Sequence, residues 1–379
     1  MPKILILTAG FGEGHNAAAR NLAAAVVAQA GPEAAPVADL FALASPRLNE
    51  LSRRGYLALI NRAPRVWSRF YGWVDRRAVF PRHLWFLRRE QRALATLLER
   101  ERPTAVCSAY PVYGFLADAL AAAGVLRVPY YHLVTDSISI NSLWTRPACA
   151  GWFVPNPETA GVLQGMGVPA ARLHDYGFPV PAFFAQHPEL APPDLATGAR
   201  PRVLFIIHSG VHQAEATARR LLTDTDWELT LAVGRDEALR QRLQHAARAR
   251  PFPTTVLGWT DQVPRLLLSH HVVISKAGGA TTQEAIAAHC PMVVNQIVPG
   301  QEEGNYELLR RRGIGAHART PEDVLTVLRL AFADHGAHWR RWHQALVPLA
   351  RREAAARIAA HVLAAGTVVP IVTPASAHP

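Results

Sequence analysis

The sequence predicts an α/β protein made of two Rossmann-like domains that face each other across a cleft. In each half of the chain, short apolar runs alternate with helical patterns, which is typical of parallel sheets with crossover helices. A proline-rich stretch, residues 177–200, separates the two halves and disfavours both helix and strand. The length of 379 residues also exceeds that of one typical core, so two domains are expected.

The first domain is expected to span residues 1–180. Its apolar runs predict strands at residues 3–7, 104–108, 128–135 and 151–154, and helices at residues 15–30 and 114–123. The first run follows a single lysine and is too short for a signal peptide, so it is interpreted as a buried strand.

The second domain is expected to span residues 181–337. Its predicted strands are residues 202–207, 228–233, 254–257, 272–274 and 291–295. Residues 321–365 are predicted to be helical, and the tail 366–379 has no packing pattern and is expected to be disordered. No stretch approaches the ~18–20 uninterrupted apolar residues of a membrane-spanning helix.

Cysteine usage and charge limit the class of protein further. The three cysteines share no ligand-like spacing, which argues against a disulfide framework or a zinc site and favours a cytoplasmic location. The net charge is +11, and it is concentrated: eleven arginines lie between Arg53 and Arg92, against two acidic residues. Most of the excess positive charge therefore belongs to one segment.

Large aromatic residues alternate with the arginines of this basic segment. Arginine with tryptophan and tyrosine favours the headgroup region of an anionic membrane, whereas a basic structural face or a nucleic-acid patch are alternatives. No nucleic-acid-binding module surrounds the segment, so no nucleic-acid partner is predicted. The candidate membrane-binding residues are Arg65, Trp67, Arg69, Tyr71, Trp73, Arg76, Arg77 and Trp85.

The strongest local motif, residues 274–284, reads Ile-Ser-Lys-Ala-Gly-Gly-Ala-Thr-Thr-Gln-Glu and follows a predicted strand. Gly278 and Gly279 allow close backbone approach, and the free amides of the helix that begins there suit a diphosphate. Glu284, one turn later, can accept hydrogen bonds from ribose hydroxyls. The alternative is an ordinary helix start in which Glu284 only complements the helix dipole.

A second loop favours the ligand-binding interpretation. Residues 299–305 read Pro-Gly-Gln-Glu-Glu-Gly-Asn and follow the next predicted strand, so both loops should meet at one sheet edge. Gln301, Glu302 and Asn305 would bind sugar hydroxyls, which makes the pair of loops a candidate sugar-nucleotide site. A third loop, residues 258–261, ends the preceding strand and is predicted to contact the base.

The acceptor side is predicted from two motifs in the first half. Gly10, Gly12 and Gly14 precede His15 at a helix start, where the positive helix end lowers the histidine pKa and leaves a neutral base. The alternative is a histidine at a helix start that has no chemical role. Asp136 ends a buried strand and would orient His15 or a substrate hydroxyl, the alternative being a helix cap.

Together these motifs resemble the family of monogalactosyldiacylglycerol synthases and processive diacylglycerol glucosyltransferases, which is related to the N-acetylglucosaminyltransferase that makes lipid II. The matching stretches are residues 12–15, 134–136, 177–179, 258–259, 274–284 and 299–305, in order across most of the chain. The resemblance implies a GT-B fold, inverting transfer from UDP-galactose or UDP-glucose, and no metal or other cofactor. It also implies a lipid acceptor such as diacylglycerol at the inner face of the cell membrane, where the protein would be peripheral.

The resemblance also assigns roles to residues. His15 would be the catalytic residue, with Asp136 nearby, and the last helix, about residues 338–365, would pack back on the first domain. The predicted donor-binding residues are Ser209, Trp259, Thr260, Gly278, Gly279, Ala280, Thr281, Glu284, Gly300, Gln301, Glu302 and Asn305.

Some motifs depart from the family pattern or compete with it. The family's glycine-rich loop is replaced by residues 207–212, Ile-His-Ser-Gly-Val-His, and Asn141 stands where a histidine is usual. Asp224 and Asp226 match an Asp-x-Asp metal motif but lie in a predicted polar turn. A UDP-sugar 2-epimerase and a non-catalytic membrane-bound sensor of nucleotide sugars are the alternative functions.

Overall fold

A computed structural model describes residues 2–10, 12–47, 85–208, 213–298, 300 and 302–365. Within these residues the chain forms two parallel sheets of six strands each, with helices against them, which confirms the predicted α/β fold of two Rossmann-like units. No helix in the described ranges is long and apolar enough to cross a bilayer.

The first sheet has the strand order β2-β1-β3-β4-β5-β6. Its central strands consist of buried residues, as expected for a parallel sheet that is covered on both faces. The strands are β1 (Ile4–Thr8), β2 (Val37–Asp39), β3 (Ala105–Ser108), β4 (Tyr130–Leu133), β5 (Gly151–Val154) and β6 (Leu173–Asp175).

The second sheet has the strand order β12-β11-β10-β7-β8-β9, the doubly wound arrangement of a dinucleotide-binding domain. The strands β10 and β11, which precede the two predicted donor loops, are parallel neighbours as expected. The strands are β7 (Arg202–Ile206), β8 (Glu228–Ala232), β9 (Thr254–Leu257), β10 (Val272–Lys276), β11 (Met292–Gln296) and β12 (Gly315–His317).

Helices connect the strands and lie against the sheets. In the first half they are α1 (Glu13–Ala30), α2 (Leu40–Ala44), α3 (Arg88–Glu101), α4 (Val112–Ala122) and α5 (Pro157–Gly165). In the second half they are α6 (Phe183–Gln186), α7 (Ala214–Asp224), α8 (Glu237–Ala247), α9 (Val263–Ser269), α10 (Gly279–Ala287), α11 (Glu303–Arg312), α12 (Pro321–Leu346) and α13 (Ala354–Ala365).

Three strands were not predicted from the sequence: β2, β6 and β12. Each is three residues long and lies at an edge of its sheet. An edge strand is covered on fewer sides, so its side chains do not need to form a continuous apolar run. These strands therefore lack the hydrophobic signal that identified the central ones.

The predicted linker, residues 177–200, is mostly irregular, but it is not a loose tether. It contains the short helix α6, where none was expected, and Phe178, Val180 and Phe184 are buried. These side chains belong to one apolar cluster that also includes residues of both sheets, such as Ile4 and Val273. The linker therefore packs between the two halves.

The C-terminal helical stretch is interrupted twice. Inside α12 the backbone leaves helical geometry at Ala333–Gly336, and a turn at Val347–Leu349 separates α12 from α13. The last helix, α13, lies on α1, where Gln29 Nε2 donates to the Ala356 carbonyl at 2.9 Å. The second half of the chain thus returns to the first, although the domain boundary itself stays a prediction.

The two halves meet closely where the loop after β4 lies against the starts of α10 and α11. Ser139 N donates to the Ser137 carbonyl at 2.6 Å, a tight turn around Ile138, which has φ of 59°. A Cβ on Gly304 of α11 would overlap the Ser137 carbonyl oxygen. Only glycine allows this backbone approach.

We predict that Gly304→Ala moves the start of α11 away from the turn at residues 137–139. The methyl group would displace backbone atoms of the 137–139 turn, so a loss of about 1–3 kcal/mol of unfolding free energy is expected, with an increased radius of gyration in small-angle scattering. Gly161→Ala, in the exposed interior of α5 where a Cβ meets no atom within 4 Å, is the control and should be neutral or stabilising. Unchanged melting and size in the Gly304 variant would contradict the prediction.

Candidate functional site

The candidate site lies between the two sheets, at the carboxyl ends of their strands. In a doubly wound sheet, ligands bind where the strand order reverses, which is between β1 and β3 in the first sheet and between β7 and β10 in the second. The loops after these strands carry His15, Tyr110, His208 and the 277–281 segment. The predicted motifs therefore lie at the two positions that this architecture favours for a ligand.

His15 is the third residue of α1, and its ring is held from two sides. Nδ1 lies 2.9 Å from Thr135 Oγ1, and the ring stands edge-on to Tyr110 with centroids 5.4 Å apart. Desolvation lowers the His15 pKa to about 4, against the opposing effect of a hydrogen bond to the Ala109 carbonyl. The imidazole is therefore uncharged at neutral pH, as the sequence predicts, although desolvation is the main cause.

Asp136 does not orient His15, contrary to one of the two roles that the sequence suggested. The side chain next to the imidazole belongs to the preceding residue, Thr135, and Asp136 instead accepts a hydrogen bond from Trp144 Nε1 at 3.4 Å. Desolvation raises the Asp136 pKa to about 6. Residues that alternate along an extended backbone point in opposite directions, so Thr135 and Asp136 serve different neighbours.

Asn141, which stands where the family usually has a histidine, has a local role. Its side-chain Oδ1 accepts from the Leu143 amide at 3.0 Å and caps the short turn Ser142–Trp144. The residue is buried. Asn141 therefore holds the Trp144 segment in place.

The second wall of the cleft is the start of α10. Gly278 is its N-cap and provides no side-chain acceptor for the amides of the first turn, so these amides can bind an anion. The start of α1 faces the start of α10, because a Cβ on Gly14 would lie 3.9 Å from the Ala280 amide nitrogen. Two positive helix ends therefore lie next to each other.

Glu284 faces α1 across the cleft. Its pKa is raised to about 7, chiefly by desolvation, with opposing influences from Arg20, which lowers it, and Glu13, which raises it. Arg20 and Glu13 form an ion pair at 2.6 Å on the exposed side of α1. The sequence motifs did not identify these two residues as neighbours, since they come from the other half of the chain.

An ion pair between Lys276 and Glu302 joins the two predicted donor loops. The second carboxylate oxygen of Glu302 accepts from the Val298 amide at 2.9 Å, and the Glu302 side chain is only 8% exposed. Both oxygens of Glu302 therefore have partners within the protein. Lys276 was quoted in the motif but not selected as a functional residue, although its ammonium lies near Gly278.

Asn305 connects the same loops. Its Nδ2 donates to the Ala277 carbonyl at 3.0 Å, and the buried Oδ1 has no hydrogen-bond partner among the described residues. A buried polar oxygen without a partner is unfavourable. Asn305 therefore fixes the backbone just before the anion-binding amides and offers one acceptor to a ligand.

His208 follows β7 and lies beside Ser275 of β10, on the same side of the cleft. Its Nε2 is 3.0 Å from Ser275 Oγ, and desolvation, with the nearby Lys276 charge, lowers its pKa to about 4. The candidate residue Ser209, which follows it, lies outside the described residues, as does Gln301 of the second donor loop. Gly300 is described and has φ of 85°.

The third predicted loop, residues 258–261, is separated from the donor helix by two strands. It follows β9, and β7 and β8 separate β9 from β10 in the sheet. Trp259 is 68% exposed there, and Thr260 Oγ1 accepts from the Gln262 amide at 3.1 Å. Its proposed contact with a base remains a prediction.

Of the candidate membrane-binding residues, only Trp85 lies within the described ranges, and it is 70% exposed. Arg65, Trp67, Arg69, Tyr71, Trp73, Arg76 and Arg77 lie outside the described residues. The same holds for the tail 366–379. The predicted membrane contact is therefore described only at its C-terminal border.

Asp224, the first residue of the Asp-x-Asp motif, ends α7 and pairs with Arg220 on the same helix. Thr223 Oγ1 also donates to its carboxylate at 2.6 Å. In the ranges that the structure covers, no three histidine, cysteine, aspartate or glutamate side chains are grouped as metal ligands would be. The pairing shows that Asp224 serves the helix end.

Comparison with known proteins supports the resemblance found in the sequence. A family model for monogalactosyldiacylglycerol (MGDG) synthase matches residues 15–180. A processive diacylglycerol beta-glucosyltransferase of Bacillus cereus (strain AH820) is 25% identical over 389 residues, which cover 100% of this chain and 98% of the relative. The matches confirm the resemblance and the predicted class of enzyme, a glycosyltransferase.

Solved structures confirm the GT-B fold. Acinetobacter baumannii MurG has a TM-score of 0.59 and 14% identity, with 96% of this chain and 99% of that chain covered. The UDP-GlcNAc 2-epimerase from Neisseria meningitidis, solved with UDP-GlcNAc bound, has a TM-score of 0.59 and 11% identity over 96% of this chain and 100% of its own. Because both share the fold, the fold alone does not separate transfer from epimerisation.

We predict that the Lys276–Glu302 pair is asymmetric in its effect on stability. Lys276→Met leaves the buried carboxylate unpaired and should cost about 3–5 kcal/mol, whereas Glu302→Gln leaves a lysine side chain that is 31% exposed and should cost about 1–3 kcal/mol. The double variant should cost less than the sum of the two, which a double-mutant cycle by chemical denaturation measures. Additive losses would show that the pair does not interact.

Proposed function

We propose that this chain, a glycosyltransferase of GT-B fold that resembles the monogalactosyldiacylglycerol synthase family, is an inverting enzyme. It moves galactose or glucose from a UDP-sugar to a lipid hydroxyl, with diacylglycerol as the favoured acceptor. The observation that carries the proposal is the geometry of the cleft: the neutral His15 and the anion-binding start of α10 lie on opposite walls, in contact through Gly14 and Ala280.

The proposed reaction is a single displacement. His15 takes the proton of the acceptor hydroxyl while that oxygen attacks the anomeric carbon, and the bond from this carbon to the diphosphate oxygen breaks on the opposite face. The sugar is transferred with inversion, and UDP leaves with the bonding electron pair. An uncharged imidazole is the form that can accept a proton.

The developing charge on UDP would be stabilised by the protein itself. The amides of Gly279, Ala280 and Thr281 belong to the uncapped first turn of α10, and the start of α1 lies beside it, so both helix dipoles would favour an anion there. Such preorganised donors are often the largest electrostatic contribution to a reaction of this kind. No metal ion or other cofactor is part of the proposal.

The donor would be recognised by residues of the second half. Ionised Glu284 would accept hydrogen bonds from the ribose hydroxyls, and the Glu302–Lys276 pair, which joins the loop after β11 to the end of β10, would lie towards the hexose. Gln301 of that loop, outside the described residues, is proposed to bind a hexose hydroxyl. Galactose and glucose differ in the orientation of one hydroxyl, so selectivity would depend on one or two hydrogen bonds in this loop.

The acceptor would reach the first half from a membrane. Trp85 and Phe86, which are 70% and 48% exposed, lie where the described chain resumes within the basic segment, and Leu43, which precedes that segment, is 57% exposed. Exposed aromatics beside arginines favour a headgroup interface with anionic lipid. We therefore infer a peripheral location on the inner face of the cell membrane.

A UDP-sugar 2-epimerase is the alternative that the structure comparison raises. The full-length similarity to a diacylglycerol glucosyltransferase favours transfer. A non-catalytic sensor of nucleotide sugars would have no need for a base and an anion site on facing walls.

The test is one panel of incubations. UDP-glucose, UDP-galactose and UDP-N-acetylglucosamine are each mixed with diacylglycerol liposomes, and the products are identified by mass. We expect one hexose on diacylglycerol with equimolar UDP, and a His15→Ala variant that binds UDP normally but turns over about 10²–10⁴-fold more slowly. An epimer formed without lipid would establish the epimerase instead, and full activity in the variant would exclude His15 as the base.

Donor affinity should depend on the ionisation of Glu284. Its pKa of about 7 means that the carboxylate is mostly protonated at pH 6 and mostly ionised at pH 8. Ribose hydroxyls donate to the ionised form, so UDP-sugar affinity should rise about tenfold over this interval and then level off. Calorimetry without acceptor measures the affinity for the UDP-sugar at each pH. Glu284→Gln should remove the rise, whereas Asp136→Asn, on the other wall, should retain it. A flat profile in the unmodified protein would contradict the role.

A further inference from the structure

Thr135 is a residue that the sequence motifs passed over, between Val134 and Asp136. Its side chain is buried at 3% exposure, in the loop directly after β4, and its Oγ1 lies 2.9 Å from His15 Nδ1. We propose that Thr135 is a positioning residue: its hydroxyl accepts the Nδ1 proton of His15 and so directs the unprotonated Nε2 at the acceptor hydroxyl. The inference rests on the proposed function of the same site.

Other neighbours restrict the position of the His15 ring. The imidazole has Tyr110 edge-on at 5.4 Å, and a Cβ on Gly12 would lie 3.6 Å from His15 Cδ2. These neighbours limit where the ring lies, but neither distinguishes one ring nitrogen from the other. The Thr135 hydroxyl meets Nδ1, where it can either accept a proton or donate one. With the hydroxyl as acceptor, the free lone pair of the neutral imidazole lies on Nε2.

The charge of the group beside Nδ1 affects the pKa of His15. A carboxylate at this position would stabilise the imidazolium and raise the histidine pKa, as an aspartate does in a catalytic triad. A threonine hydroxyl orients the ring without adding charge. The low pKa produced by desolvation is therefore kept, and the base remains neutral in a closed site.

Thr135 also connects the proposed base to the donor wall. A Cβ on Gly279, the first residue of α10, would lie 2.9 Å from the Thr135 carbonyl oxygen, so the two backbones are in contact. Two residues later, Ser137 Oγ accepts from Gln283 Nε2 of α10 at 3.2 Å. Thr135 thus contacts the base through its side chain and the donor helix through its main chain, and the orientation of His15 follows the position of α10.

Two substitutions isolate the hydroxyl. Thr135→Val keeps the shape and removes the oxygen, whereas Thr135→Ser keeps the oxygen and removes a methyl group. We expect the valine variant to lose about 10–100-fold in kcat, part of the 10²–10⁴-fold that a general base contributes, with KM for the UDP-sugar within about twofold. The serine variant should recover most of the kcat. Equal kcat in the valine variant and the unmodified enzyme, or equal losses in both variants, would overturn the proposal.

A second measurement needs no acceptor. Ring-¹⁵N NMR of the UDP-bound protein, with His15→Ala to assign the signal, reports which nitrogen carries the proton. We expect protonated Nδ1 in the unmodified protein and in Thr135→Ser, and a shift towards protonated Nε2 in Thr135→Val. The competing arrangement is an Nε2 proton donated to the Ala109 carbonyl, and its presence in the unmodified protein would overturn the proposal. If the NMR result holds while no sugar is transferred to lipid, the proposed function fails and the assignment of Thr135 stands.

Discussion

The site depends on one close backbone contact between the two halves of the chain. The loop after β4 fits against the starts of α10 and α11 because Gly279 and Gly304 have no side chains there. This contact brings His15, from the first sheet, opposite the anion-binding amides of the second. Two domains without such contacts could move apart. Here the packed linker and α13 hold the two halves, and with them the facing groups, together.

Burial between the two halves also explains the pKa values of three residues in the cleft. His15, Asp136 and Glu284 come from three different segments, and desolvation is the largest cause of the pKa shift in each. It lowers the pKa of the histidine and raises the pKa of the two carboxylic acids. The same environment strengthens the field of the two helix ends. A negatively charged diphosphate would therefore enter a site whose own groups are close to neutral.

The elements that the sequence predicted are those whose burial produces a clear pattern of apolar residues. Central strands such as β1 and β10 are buried on both faces and were predicted from continuous apolar runs, whereas the edge strands β2, β6 and β12 carry no such pattern. The two donor loops were correctly paired because β10 and β11 are parallel neighbours. The loop after β9 precedes β10 in the chain, but β7 and β8 lie between these two strands in the sheet, so the chain order alone does not show how near this loop lies to the other two.

The sequence by itself determined the α/β class, the doubling of the Rossmann-like unit, the helix start at Gly278 and the histidine at the start of α1, because each depends on local backbone chemistry or periodicity. The tertiary structure decided which groups meet. It placed Thr135 rather than Asp136 against His15, joined Lys276 to Glu302, and brought Arg20 and Glu13 near Glu284. These contacts link residues from about 26 to 270 positions apart, and only the packing of distant elements decides them.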